Sequence, residues 1–389
     1  MKKFKPGLLL KVVIAIVLGV GCGLFFPDGL VRVFLTINSL FGNFLNFIIP
    51  LLILGLVAPG IADLGKGAGR LLLLTALLAY GFTLFSGFFT YFTCDLVYPW
   101  LLSSSDTLSA VGGNVEAIKP YFTIEMPAVM GVMSALVLAF TLGLGMSVID
   151  GNRLKLVMDD FKDIINRVIT AIIIPLLPLY IFGIFLNMTN SGQVAGVMSV
   201  FLKIIVVIFV MTVVLLFIQF FIAGSVGKKN PFRLFRTMLP AYMTALGTQS
   251  SAATIPVTLE QTIRNGVRPD LAGFVIPLCA TIHLSGSTMK IVACSLAIML
   301  MSGMEVQFGQ FAGFIMMLGI AMVAAPGVPG GAIMAALGLL QTMLGFDETA
   351  QGLMIALYIA MDSFGTATNV AGDGAIAVIV DRLNEGKKK

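Results

Sequence analysis

The feature that most restricts the fold of this chain is a series of apolar runs, each about 18 residues or longer, between Leu8 and Val380. At about 1.5 Å per helical residue, each run is long enough to cross a hydrocarbon core about 30 Å thick. Hydrophobic residues make up 58% of the chain and charged residues 11%, whereas a soluble domain carries roughly 25% charged residues. The sequence therefore predicts an all-α polytopic membrane protein and excludes a soluble globular one. The short alternating segments of an outer-membrane barrel are not seen, so we expect the spans to be helices.

The cysteines and the basic residues give no sign of a redox, metal or nucleic-acid function. The cysteines lie in or near apolar stretches without a CxxC pair, which is typical of buried packing residues. They are Cys22, Cys94, Cys279 and Cys294. The basic residues that give the net charge of +5 are scattered through short loops and do not form one basic face. The first apolar run, 7–26, has no small-residue cleavage pattern after it, so we interpret it as a retained span and not as a signal peptide.

The spans fall into a regular first part and an interrupted second part. We expect spans near 8–26, 33–58, 71–95, 126–148, 166–188 and 194–223. The region after them is broken by polar, proline and glycine residues at three places, which are 247–256, 283–287 and 326–331. Backbone that leaves the helix at membrane depth is tolerated only where protein or a wet cavity surrounds it. The sequence therefore predicts two re-entrant hairpins, a broken seventh span and an eighth span. Their ranges are 237–268 and 309–346 for the hairpins, 269–303 for the broken span and 347–381 for the last span.

The distribution of lysine and arginine provides an independent test of this topology. With both termini inside and neither hairpin crossing, nearly all of the 24 basic residues fall in cytoplasmic segments. The exceptions are Lys11, Arg32, Lys119, Lys203 and Lys290. This pattern favours eight transmembrane helices plus two re-entrant hairpins, in the plasma (inner) membrane with cytoplasmic termini.

Polar groups inside the last span form the sharpest candidate site. Asp362, Thr366, Asn369 and Asp373 are spaced so that they lie within roughly 60° of one another on a helix. Charged groups at bilayer depth are costly and are usually functional. Two carboxylates and an amide on one face are suited to an ammonium group and a metal cation. The alternative is a polar seam between two helices.

The hairpin tips carry groups that suit an anionic or adaptable site. In the first tip, Ser250, Ser251 and Thr254 offer hydroxyl groups, and helix N-termini there would hold a carboxylate. The second tip, 326–331, is rich in glycine, which permits unusual dihedral angles and suits a gate. Each pattern alone is equally typical of an ordinary helix break or turn.

Three strings together resemble a known family. They are TQSSAATIPVT at 248–258, GVPG at 327–330 and NVAGD at 369–373. In this order and spacing they resemble the dicarboxylate/amino acid:cation symporter family, which includes the glutamate transporters. The resemblance implies a homotrimeric secondary active symporter with inverted repeats and an elevator mechanism. It also implies a scaffold from 1–70 and 126–223, and a transport domain in which span 71–125 joins both hairpins and the last two spans.

The resemblance also implies roles for individual residues. It places the α-ammonium group of an amino acid on Asp362 and the α-carboxylate group near Ser251, Thr366 and Asn369. The full set of expected substrate residues is Ser250, Ser251, Gly327, Val328, Pro329, Asp362, Gly365, Thr366 and Asn369. It assigns one sodium ion to Asp373 with carbonyl groups of Cys279, His283 and Asn369, and a second to carbonyl groups near Thr281 and 323–325.

Departures from the family pattern raise the question of the coupling ion. The family usually has NMDGT where this chain has HLSGS at 283–287, and Leu84 stands where a serine is expected, so we expect a third, deep sodium site to be lost. His283, the only histidine, and Lys290 add basic groups nearby. An imidazole titrates near neutral pH, so we hypothesise that a proton moving through His283 or Lys290 replaces part of the sodium coupling. The alternative is that His283 forms a core hydrogen bond and Lys290 snorkels to an interface.

Another departure concerns the substrate. Gly365 occupies the position where relatives for acidic substrates carry an arginine, and Gln249 stands at an alternative arginine position. Without bidentate arginine recognition, the sequence favours a neutral amino acid. Lys290 reaching into the site keeps an acidic amino acid or dicarboxylate open.

Functions of other classes have weaker support in the sequence. Ser287 and Lys290 match the Ser-x-x-Lys spacing of serine/lysine acyl-transfer sites, but the companion motifs and a GxSxG string are absent. A passive ion channel of the same architecture is a further alternative. We therefore expect no enzyme, no cofactor other than the coupling ion, and no nucleic-acid partner, with membrane lipid around the spans.

Overall fold

All regular secondary structure in the described part of the chain is helical. The computed structural model describes residues 7–65, 69–102, 118–149, 151, 153–323, 325 and 329–385. The helices are α1 (Leu8–Gly23), α2 (Asp28–Gly65), α3 (Gly69–Leu101), α4 (Val132–Val148), α5 (Arg153–Val168), α6 (Ile174–Asn190), α7 (Val194–Gly227), α8 (Pro231–Thr248), α9 (Ser251–Arg264), α10 (Pro269–Ile282), α11 (Ser285–Met301), α12 (Phe308–Val323), α13 (Gly331–Leu344), α14 (Glu348–Ala360) and α15 (Asp362–Glu385). A π-helical turn, Ile169–Ile173, joins α5 to α6.

Several helices have the length and composition of membrane spans. Five helical stretches among the described residues are long and apolar enough to cross a membrane, and the bent pair α14 and α15 makes a sixth. Four shorter apolar helices accompany them, namely α1, most of α4, α12 and α13. The prediction of a multi-pass helical membrane protein is confirmed. The count of eight spans stays a prediction.

Burial distinguishes the interrupted helices from the outer ones. In the apolar core of the α10 and α11 stretch, Pro269–Met301, 89% of the residues are buried, against 39% in α7. Large side chains such as Leu202, Val206 and Phe209 on α7 point outward, as expected of a surface that meets lipid. The broken helix therefore lies inside the protein, whereas the motif of the first hairpin is exposed in part, at Thr248, Ala252, Ala253 and Pro256.

Helices α8 and α9 form a tight antiparallel hairpin. Asn230 caps the start of α8 by accepting hydrogen bonds from the backbone N–H groups of Phe232 and Arg233. Gln249 ends α8 with a left-handed φ of 53°, and Ser250 caps α9 by accepting from the N–H of Ala253. Two residues thus reverse the chain, so the tip is compact.

Helices α12 and α13 form a second hairpin, which packs against α2, α3 and α14. Gly330 precedes α13 with a φ of +77°, a conformation that glycine adopts without strain. Residues 324 and 326–328 of this tip lie outside the described residues. That the two hairpins stop within the membrane remains a prediction.

The helix between the hairpins is interrupted, and its second half lies tightly against α15. Helix α10 ends at Ile282 and α11 begins at Ser285, with His283 and Leu284 between them in non-helical conformations. A Cβ atom added to Gly286 would lie only 2.6 Å from the carbonyl oxygen of Gly365. Glycine at 286 therefore allows the two backbones to approach, which brings the first turn of α11 against α15.

The last span contains a bend that the sequence analysis does not predict. Helices α14 and α15 meet at Met361 with an angle of 61° between them, whereas the sequence was interpreted as one span over 347–381. Asp362 consequently begins a helix, where the positive end of the helix dipole favours a carboxylate. The bend places the start of the polar stripe at a helix N-terminus that faces both hairpins.

Candidate functional site

The first turn of α15 is the meeting point of both hairpin tips and of α11. Asp362 is buried, and each of its carboxylate oxygens accepts a hydrogen bond. Oδ1 accepts from the Lys290 ammonium at 3.2 Å, and Oδ2 accepts from the Gly330 N–H at 2.8 Å. One residue further on, the Ser363 hydroxyl accepts a hydrogen bond of 2.7 Å from the Gln249 side chain at the other tip. A single helix start therefore connects the two hairpins.

Lys290 is fully buried and its ammonium group is enclosed by three kinds of acceptor. Besides Asp362, it donates to the Met361 carbonyl oxygen at 3.3 Å and lies 3.9 Å from the centroid of the Tyr358 ring. A carboxylate, a carbonyl group and an aromatic face are the partners that stabilise a desolvated ammonium. The interpretation that Lys290 snorkels to an interface is wrong, because its side chain is 0% exposed.

The space over Gly365 is filled by this lysine. A Cβ atom at Gly365 would overlap the Cε and Nζ atoms of Lys290. The position where the family resemblance implies an arginine for acidic substrates thus holds a cation from another helix. The sequence analysis left open whether Lys290 reaches this place, and the structure shows that it does.

The Asn369 side chain forms hydrogen bonds between α15 and the start of α11. Its Oδ1 accepts from the Gly286 N–H at 2.8 Å, and its Nδ2 donates to the Ser287 hydroxyl at 3.1 Å. The Tyr358 hydroxyl donates to the same Ser287 oxygen at 3.1 Å. Since Tyr358 also faces Lys290, a continuous polar network runs from Asn369 to Asp362. All of its side chains are buried.

The contacts of Tyr358 with Ser287 and Lys290 are not predicted from the sequence. Tyr358 lies four residues before Asp362, a spacing that would place the two on one helix face if the span were straight. The spacing was therefore a usable signal. The contact itself depends on the bend at Met361, which no pattern in the sequence indicated.

A second polar cluster surrounds Asp373 deeper along α15. The His283 Nδ1 atom lies 2.9 Å from the Asp373 Oδ1 atom, and both side chains are buried. Three further polar atoms here are buried without a hydrogen-bond partner among the described residues, namely His283 Nε2, Asp373 Oδ2 and Gln219 Oε1. The Gln219 amide donates instead to the Ser285 hydroxyl at 3.0 Å. Gln219 was also missed, although a lone amide within the apolar helix α7 is a usable signal.

Glycine at 372 makes room for this cluster. A Cβ atom there would lie 2.5 Å from the His283 ring and 2.9 Å from the Gln219 side-chain oxygen. The ring and the amide therefore converge on the same side of α15 as Asp373. The interpretation of His283 as a residue that forms a hydrogen bond in the core agrees with this geometry, and the partner is the carboxylate that was expected to hold sodium.

The expected sodium ligands meet this geometry only in part. Asp373 offers Oδ2, a hard oxygen that a sodium ion accepts, while Oδ1 is hydrogen-bonded to His283. The Cys279 carbonyl accepts the His283 N–H within its own helix end. The Thr281 side chain is exposed and donates to the Leu278 carbonyl. No cluster of three or more His, Cys, Asp or Glu side chains suited to a metal occurs in the part of the chain that is described.

Four of the remaining predicted substrate residues are described, one on α15 and three at the hairpin tips. Ser251 and Thr366 are buried, and Ser250 caps α9. Pro329 is partly buried just before Gly330. Gly327 and Val328, also predicted to contact substrate, lie outside the described residues.

Comparisons with known proteins agree with the resemblance in the sequence. The model of the sodium:dicarboxylate symporter family matches residues 8–383. A serine/threonine transporter of Acinetobacter baumannii is 28% identical over an alignment of 390 positions, which covers 96% of each chain. An excitatory amino acid transporter 1 of Rattus norvegicus is 30% identical over 246 residues, 61% of this chain and 44% of the rat protein. A second excitatory amino acid transporter, of Caenorhabditis elegans, is 27% identical over 296 residues, 73% of this chain and 57% of the nematode protein.

These relatives are transporters and not enzymes, so the Ser-x-x-Lys match at Ser287 and Lys290 does not mark an acyl-transfer site. Because the family model covers nearly the whole length, the chain belongs to the sodium:dicarboxylate symporter family of membrane transporters.

Proposed function

We propose that this protein is a secondary active symporter that imports a neutral amino acid together with a cation, H+ and/or Na+. The observation that carries the proposal is the buried ion pair of Lys290 and Asp362 at the meeting point of the hairpins. A zwitterionic amino acid carries one ammonium and one carboxylate group. It would place its ammonium group on Asp362 and its carboxylate group on Lys290, and the buried charge would stay balanced.

Charge balance favours a neutral substrate over an acidic one. An acidic amino acid would bring a second carboxylate, while the pair provides only one cation and one anion. Burying an uncompensated charge is costly, whereas a fully paired set of charges is tolerated. The Acinetobacter baumannii relative, aligned over 96% of both chains, is named a serine/threonine transporter, which supports a small neutral substrate.

An acidic amino acid or a dicarboxylate is the second candidate. It is favoured by one observation, the position of the Lys290 ammonium over Gly365, where an arginine would hold a second carboxylate. Because excitatory amino acid transporters are among the relatives, the uptake experiment includes acidic substrates.

The proposed coupling site is the Asp373 cluster. Its unpartnered carboxylate oxygen is a ligand for sodium, and the residues proposed for proton coupling are His283, hydrogen-bonded to the same carboxylate, and Lys290. The wider proposal follows the family resemblance. It comprises a homotrimer in the plasma membrane with cytoplasmic termini, in which the hairpins and broken helices move as an elevator against a scaffold.

Uptake into proteoliposomes tests this function. The purified protein is reconstituted, and labelled serine, threonine, alanine, glycine, aspartate, glutamate and succinate are offered under an inward sodium gradient or an inward proton gradient. We expect accumulation of a neutral amino acid above its equilibrium level, abolished in Asp362→Asn. Lys11→Met, which removes an exposed lysine of α1, is the matched control and should transport like the wild type.

The other outcomes decide between the alternatives. Accumulation of only aspartate, glutamate or succinate would support the second candidate. Downhill flux that never exceeds equilibrium under either gradient would indicate a passive channel and would contradict symport. The gradient that drives accumulation identifies the coupling cation.

A further inference from the structure

We propose that Lys290 is a tethered occupant of the amino-group subsite, which lets the transporter close when no amino acid is bound. The proposal rests on the function proposed above and adds a role for one residue in the transport cycle. In the empty protein the lysine takes the place of the substrate ammonium group. An arriving amino acid displaces it from Asp362 and gives it a carboxylate partner instead.

The surroundings of the Lys290 ammonium have the chemistry of an ammonium-binding site. Asp362 Oδ1, the Met361 carbonyl oxygen and the Tyr358 ring are all in contact with Nζ. A carboxylate, a carbonyl oxygen and an aromatic face are what a free ammonium ligand would use in a desolvated pocket. The lysine therefore satisfies a site that fits a primary ammonium group, and it does so from within the chain.

One carboxylate contacts both the lysine and the tip of the second hairpin. Asp362 bonds to Lys290 through Oδ1 and to the Gly330 N–H through Oδ2. The hairpin tip can thus close on Asp362 while the lysine balances the charge. Without that balance, closing the tip would enclose an unpaired carboxylate, which is strongly unfavourable.

The path of the lysine side chain depends on Gly365. The Cε and Nζ atoms of Lys290 occupy the volume that a Cβ atom at 365 would need. Because these atoms are the far end of a flexible side chain, Gly365→Ala would move the ammonium group off Asp362 without removing it. The chain therefore offers two independent ways to empty the subsite, one that deletes the charge and one that displaces it.

Exchange and net uptake differ in the step that needs the lysine. During exchange, an amino acid occupies the site on both the inward and the outward passage, so its own ammonium group balances Asp362. Net uptake requires the empty protein to return, and at that step only Lys290 is available. Loss of the Lys290 ammonium should weaken exchange as well, because the substrate carboxylate group loses its partner, but it should impair net uptake more strongly.

The experiment compares both modes in the same proteoliposomes, with the neutral amino acid that the wild type transports best. Net uptake is measured into vesicles that lack the amino acid, and exchange into vesicles loaded with it. We expect Lys290→Met to lower exchange, because the substrate carboxylate group loses its partner, and to lower net uptake roughly 100-fold more than exchange, because the returning empty protein encloses an unpaired Asp362. We expect Gly365→Ala to change the ratio in the same direction by a smaller factor, and Lys11→Met to leave it unchanged.

Each result is decisive. Equal loss of both modes in folded Lys290→Met, or equal retention of both modes, would overturn the proposal. If Lys290→Met does not fold, Gly365→Ala decides, because it keeps the charge and changes only a glycine in contact with a flexible side chain. A wild type without net uptake and without exchange of any amino acid would instead contradict the function proposed above.

Discussion

The energetic coupling between Lys290 and Asp362 can be compared with that of an exposed ion pair in the same chain. Arg264 and Glu260 are 2.6 Å apart with side chains 62% and 57% exposed, whereas Lys290 and Asp362 are 3.2 Å apart with side chains 0% and 6% exposed. Distance alone would make the exposed pair the stronger one. The dielectric surroundings reverse this order. At an effective dielectric constant of about 20, two charges 3.2 Å apart attract by about 5 kcal/mol, and an exposed pair four residues apart on a helix contributes only about 0.3–0.5 kcal/mol.

A double-mutant cycle measures this difference. We expect Asp362→Asn and Lys290→Met each to lower the free energy of unfolding by about 3–5 kcal/mol, because each leaves a buried charge without its partner. The double variant should lose much less than the sum of the two, with a coupling energy of at least about 2 kcal/mol. The same cycle on Arg264→Met and Glu260→Gln should give less than about 1 kcal/mol.

The assay is unfolding of the purified protein in detergent, followed by loss of tertiary fluorescence and helical signal in parallel. Single and double variants are measured at one ionic strength so that screening is constant. A coupling energy for the buried pair as small as that of the exposed pair would mean that the lysine and the carboxylate do not stabilise each other, contrary to this expectation.

Three further variants test the geometry around α15. Gly372→Ala should lower both the thermal midpoint and transport, because the methyl group would push the rigid His283 ring from Asp373, while Gly273→Ala in open space on α10 should change neither; thermal melts and uptake check this. Asn369→Ala should destabilise the protein by about 1–3 kcal/mol in the unfolding assay, since the buried Gly286 N–H loses its acceptor. Ser363→Ala removes the hydroxyl that accepts from Gln249 and should weaken the apparent substrate affinity about fivefold in uptake kinetics, the equivalent of one hydrogen bond.

The helices and their interruptions could be predicted because they depend on local composition. Long apolar runs indicate membrane helices, and the polar and proline-rich run 247–256 and the glycine-rich run 326–331 stand out against them. The polar stripe on α15 follows from helical periodicity alone, and three of its residues, Asp362, Asn369 and Asp373, do form the polar contacts of the site. The bend at Met361 could not be predicted, because neither proline nor glycine lies at that position.

Residue spacing alone does not predict the partners of the two carboxylates, because they come from distant parts of the chain. Lys290 and Asp362 are 72 residues apart, and His283 and Asp373 are 90 residues apart. Sequence spacing sets which side chains share a helix face, but tertiary packing decides which helix lies opposite. The glycine at 365 illustrates the difference. Considered alone, Gly365 indicates a missing cation. In the folded protein the Lys290 side chain from a neighbouring helix fills the volume that this glycine leaves, as close packing requires.

The exchange of partners between Asp362, Lys290 and the substrate can be seen directly in a cryo-EM structure of the protein in lipid nanodiscs, saturated with the amino acid that it transports best. We expect the amino acid at the first turn of α15, with its ammonium group on Asp362 and the Lys290 ammonium moved onto its carboxylate group. An amino acid bound elsewhere, or one bound while Lys290 still pairs with Asp362, would contradict this expectation.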